Sequence, residues 1–144
     1  MRKLMLGAVL LAAMLPVTTV YAAGEGTAKK SYTANKGSKA AKKNAEDAIA
    51  EAVKAGATVE EALAEIMEAD PNNAPVAVAA AVKADPTNAK SITSFAIAKA
   101  PLQATAITSA ALRAVTTPEA RQAVAQAAKD SGVPVATINQ QLAD

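Results

Sequence analysis

DPTNAKSITSFAIAKA (residues 85–100) and APLQATAITSAALRAV (residues 100–115) are two renderings of one pattern, and that pattern sets the fold. Aligned on Pro86 and Pro101, they place Ala89, Ile92, Ala96 and Ile97 beside Ala104, Ile107, Ala111 and Leu112. Apolar residues at i, i+3, i+7 and i+8 lie on one face of an α-helix, and a strand needs a period of two instead. Each unit is therefore read as one short helix with a single apolar face.

Outward from these units, Asp70-Pro71, Asp85-Pro86, Ala100-Pro101 and Thr117-Pro118 recur at steps of 15, 15 and 17 residues. Three of the four pairs put a capping side chain before the proline. The missing N–H of a proline costs nothing in a first helical turn, so each pair predicts a helix start. The unit from Asp70 carries Ala74, Ala77, Ala81 and Val82, together with Pro75, which predicts a helix delayed by one turn. The unit from Thr117 has Ala120, Val124 and Ala127 and stops at Ser131-Gly132; a last helix after Pro134 aligns Val135, Ile138 and Leu142.

Toward the N-terminus, Ala45, Ile49 and Val53 predict a first helix from about Lys39 to Ala55, stopped at Gly56. Thr58 and Glu61 have capping-box spacing, and Ala62, Leu63, Ile66 and Met67 form the stripe of a second helix ending before Pro71. Helices of about 10–13 residues joined by two or three residues must turn back on themselves. The fold class is all-α: tandem short helices in an up-and-down array or small α-solenoid over residues 39–144, with repeats of about 15 residues from 70 to about 130. Phe95, the single phenylalanine, is expected to fill space left by the alanines.

From Asp70 to Ala128 these units resemble the short alanine-rich helical repeats of exported Gram-negative proteins, most of them uncharacterised. The resemblance implies an all-α stack and no particular activity.

Arg2 and Lys3, the apolar run from Leu4 to Leu15, Pro16 and the small residues around Ala22 read as a signal peptide over residues 1–22, cut before Ala23. The run is short of the roughly 20 residues that span a bilayer, so no transmembrane segment is expected after cleavage. The expected location is periplasmic or secreted. There is no cysteine, so helix packing or association must supply the stability that disulfides give many exported domains.

Charge is segregated. Residues 24–44 hold Lys29, Lys30, Lys36, Lys39, Lys42 and Lys43 against Glu25, and residues 45–72 hold eight acids against Lys54. Residues 23–38 have no aliphatic side chain larger than alanine and one aromatic, Tyr32, with nothing to anchor them. They are read as a disordered basic segment. The six lysines are candidate contacts to an anionic surface or envelope polymer, set against the plainer reading of a soluble linker. Pairs such as Lys42 with Glu46 and Lys43 with Asp47 would neutralise one another at i, i+4. Nucleic acid is not an expected partner of an exported chain.

Histidine and cysteine are both missing from the sequence, which removes the usual general base, thiol nucleophile and soft metal ligands. Glu61, Glu65 and Glu68 share a helix side but read as a solvated face, and Asp70 and Asp85 read as helix caps. No catalytic, cofactor or metal residue is expected, and the chain is not expected to be an enzyme. The sequence favours a non-catalytic scaffold, adaptor or envelope component acting by protein–protein contact or self-association. The alternative is a membrane-surface or anionic-polymer binder using amphipathic helices and the lysine-rich segment.

Overall fold

The computed structural model describes Ala28, Tyr32 and residues 38–143, with side chains from Lys42 onward and at Ala28 and Tyr32. The expected signal peptide lies outside these residues, as does nearly all of segment 23–38. Seven α-helices occupy the described region: α1 Ser38–Lys54, α2 Val59–Ala69, α3 Ala74–Ala84, α4 Ala89–Lys99, α5 Ala104–Ala114, α6 Pro118–Asp130 and α7 Val135–Ala143. The described residues form no strand.

Proline acts as stop and start together. Asp70, Asp85 and Ala100 have nearly the same backbone (φ −147°, −139° and −133°; ψ 81°, 80° and 68°), because a following proline ring disfavours the helical region at the residue before it. Each of these prolines then opens a 3-10 turn, at Pro71–Asn73, Pro86–Asn88 and Pro101–Gln103, and the α-helix begins three residues later. The expectation that proline opens the α-helix directly is thus corrected for three units; only Pro118 does so. Pro75 adds no delay of its own. It sits in the first turn of α3, where its missing donor is harmless, and α3 has the same length as α4 and α5.

Glycine ends two other helices. Gly56 and Gly132 have φ of 100° and 87°. Their N–H groups donate to Val53 O and Lys129 O, and those of Ala57 and Val133 to Ala52 O and Ala128 O. This double closure satisfies carbonyls that a helix end leaves open, and it needs a left-handed residue that only glycine adopts without strain. The expected capping box is present at α2: Thr58 N donates to Glu61 Oε2 at 2.8 Å and Glu61 N to Thr58 Oγ1 at 3.1 Å.

The same four helix positions are buried throughout: Ala62, Leu63, Ile66 and Met67 in α2; Ala77, Val78, Ala81 and Val82 in α3; Ile92, Thr93, Ala96 and Ile97 in α4; Ile107, Thr108, Ala111 and Leu112 in α5. The stripe continues with Val124, Ala127 and Ala128 in α6. α3 buries Ala74 and Ala80 as well and packs against α1, α2, α4 and α5; α4 likewise buries Ala89, the equivalent of Ala74. A helix covered on most sides must be apolar on most sides, and Lys83 is the one charge on α3.

Each helix packs on its successor and also on the helix after that; α3 lies most extensively on α5, α4 on α6 and α1 on α3. The result is two layers, odd helices in one and even helices in the other. Polar links follow the layers. Lys83 pairs with Glu46 at 2.9 Å (α3 to α1) and Lys90 with Asp130 at 3.2 Å (α4 to α6). Ser91 donates to Glu60, and Gln141 Nε2 to Thr105 O at 3.2 Å. Gln103 Nε2 donates to Pro71 O at 2.7 Å, joining two 3-10 turns on one edge. Exposed pairs of this kind contribute at most about 1 kcal/mol each, so they fix register more than they stabilise.

Four readings are corrected. Glu46 meets Lys83 on a neighbouring helix, where the local pairing pointed to Lys42. Val53, near the C-terminal end of α1, is 44% exposed. In α7 only Ile138 is buried, while Val135 and Leu142 are exposed. Phe95 is half-buried at the core's margin, with Lys99 Nζ 5.7 Å from its ring centroid.

Tyr32 also departs from its expected isolation. It is buried, its N–H closes a helical turn onto Ala28 O at 2.8 Å, and its hydroxyl donates to Asp70 Oδ2 at 3.4 Å. Burial, then the charge of Asp70, pushes the phenol's pKa up. Asp70 does not cap the backbone. Its carboxylate takes Asn73 Nδ2 at 2.5 Å together with Tyr32, whereas Asp85 caps as expected, accepting from Asn88 N at 3.3 Å.

Candidate binding surface

α3 runs between α1 and α5, and its outward side chains are small. Pro75, Val76 and Ala79 form the floor of a shallow trough of about 220 Å³, with Ala110 and Ala114 along the α5 side. Lys42 stands on the α1 flank and Arg113 on the α5 flank. No carboxylate lines it, and neither cation is ion-paired among the described residues. An apolar floor between two cations fits an elongated group with an anionic end, held by shape and long-range attraction.

Of the two singled-out lysines whose side chains are described, Lys42 reaches this surface. Lys43 is exposed on α1 and does not line the trough; the side chains of Lys29, Lys30, Lys36 and Lys39 lie outside the described residues. Arg113 carried no signal in the sequence beyond being one of few bases in its region. Only the two-layer packing, which brings α1, α3 and α5 side by side, joins residues 42 and 113 to one surface.

A second depression of about 470 Å³ lies on the other face, between the starts of α2 and α4, and includes Val53, Val59, Glu60, Asp85 and Ser91. Its polar groups are occupied: Ser91 donates to Glu60, and Asp85 accepts from Thr87 Oγ1 at 2.6 Å and Asn88 Nδ2 at 2.7 Å. Those bonds hold the Asp85 carboxyl below the usual carboxylate range, Thr87's contribution being the largest. Asp130 is likewise lowered, first by Gln126 and then by Lys90. These are structural caps and clasps.

Glu61 is committed to its capping box, and among the described residues no group of three potential metal ligands converges. No described helix is long and apolar enough to cross a membrane. Protein-family models, curated proteins and solved structures yield no match to the chain.

Proposed function

We propose that this chain is a non-catalytic exported helical-repeat protein, periplasmic or secreted, that serves as a scaffold or adaptor through its odd-layer surface. The observation that supports this reading is the trough across α1, α3 and α5, with a small-residue floor and a cation on each flank. Solenoid surfaces of this kind bind extended segments along stacked helices. Lys36 and Lys39 precede Lys42 in sequence.

A photocrosslinking residue at Ala79, on the trough floor, tests the proposal in cells that export the protein. One discrete adduct from Ala79, absent from Glu119 and lost with Lys42→Glu, is expected. The same ladder of products from both positions would contradict the reading.

A second reading, attachment to an anionic membrane surface or polymer, is favoured by Leu102, which is fully exposed on the turn after Pro101. Flotation with anionic vesicles at low salt decides it, since a protein that stays at the bottom of the gradient is not surface-bound.

A further inference from the structure

The turn that joins α4 to α5 departs from its counterparts at two positions, and both changes run from polar to apolar. Where the two preceding turns have Asp70 with Asn72 and Asp85 with Thr87, this one has Ala100 with Leu102. Ala100 supplies no side-chain cap, and Leu102 is fully exposed. Beside it, between the C-terminal halves of α2 and α4, lies an apolar hollow of about 160 Å³ lined by Ala64, Met67, Glu68, Pro71, Lys99 and Ala100. A cavity of about 150 Å³ admits benzene, so the hollow has room for a leucine side chain. Knob and hollow are held together: Ala100 is two residues from Leu102, and Gln103 Nε2 donates to the carbonyl of Pro71 at 2.7 Å. The rim carries one acid and one base, Glu68 and Lys99, both exposed and neither ion-paired among the described residues.

We propose that this edge is a two-fold interface between two copies of the chain, each seating its Leu102 in the other's hollow. A two-fold contact must be self-complementary, with residue i meeting j and j meeting i. A knob next to a hollow, and an acid next to a base, meet that condition within one patch, because Glu68 of each copy then faces Lys99 of the other. A lipid surface makes no use of the hollow, and the balanced rim charges exert no pull toward anionic headgroups. Two buried leucines and a small rim describe a weak, reversible dimer. The inference does not rest on the trough, which belongs to the odd layer.

Sedimentation velocity on the whole exported chain at low salt, from about 10 μM to about 1 mM, tests it. A concentration-dependent shift from monomer to dimer that stops at the dimer is expected. Leu102→Asn, which restores the polar residue of the Asp70 unit, removes two leucine burials from each dimer and weakens it about a hundredfold or more. Glu68→Lys and Lys99→Glu each weaken it a few-fold, while an equimolar mixture of those two variants associates at least as well as wild type, since both cross-pairs are then of opposite sign. Far-UV circular dichroism confirms that each variant is folded. A monomer throughout the range, association that continues past the dimer, an unchanged Leu102→Asn, or no gain on mixing the two charge variants would overturn the proposal. So would a chain that stays monomeric yet floats with anionic vesicles only when Leu102 is present, which assigns the leucine to a lipid surface.

Discussion

Single residues carry the clearest departures from the repeat. Thr93 and Thr108 occupy one core position fifteen residues apart, yet Thr108 donates to Ala104 O at 2.7 Å while Thr93 Oγ1 is buried with no partner. Thr93→Val keeps the shape and removes the unpaired hydroxyl, so a gain of about 1 kcal/mol, or about 4–8 °C in Tm, is expected in a thermal melt. Thr108→Val should show no such gain. Asp85→Ala removes a cap and should cost about 0.5–1 kcal/mol at neutral pH. Because the folded state lowers the Asp85 pKa, its contribution is present above the unfolded value of about 3.9 and is lost as pH falls through the folded one. Denaturant midpoints of wild type and Asp85→Ala should therefore converge below about pH 4. The sequence identified Asp85 as a cap correctly, but it could not separate Asp85 from Asp70, whose carboxylate meets Tyr32, a residue 38 positions away, and does not cap the backbone. Arg113 was hidden for the same reason: its importance lies in the helices beside it.

At the scale of the element, helix number, spacing and ends were legible because each is set by local chemistry. Proline restricts its predecessor, glycine alone takes a positive φ easily, and Thr58 with Glu61 closes a box within four residues. What stayed hidden was the three-residue 3-10 turn after each of three prolines, because a first turn of either helix type accepts the same residues. Gly56 offers a clean test of the glycine stop. An added Cβ there meets nothing within 4 Å, so the penalty of Gly56→Ala is purely that of the left-handed backbone, about 1–2 kcal/mol by chemical denaturation. Gly56→Asn should lose less, since asparagine tolerates that conformation better.

For the whole molecule, the one-helix period of the sequence becomes a two-helix period in space, because successive units fall in opposite layers. The repeat itself does not announce that, since the stripe at Ile92 and Ile97 looks like the stripe at Ile107 and Leu112 although they serve different layers. Each stripe faces the shared interior, and interior burial alone sets its pattern. Ile107→Ala, which empties a fully buried site, should cost about 3 kcal/mol and lower the denaturant midpoint without changing its slope. The two layers themselves are read most directly by methyl NOE spectroscopy on the isotopically labelled chain. Cross-peaks linking α1 to α3, α3 to α5 and α4 to α6, alongside those between consecutive helices, are the expected result. Cross-peaks confined to consecutive helices, or none between helices at all, would contradict the two-layer array and the trough built on it.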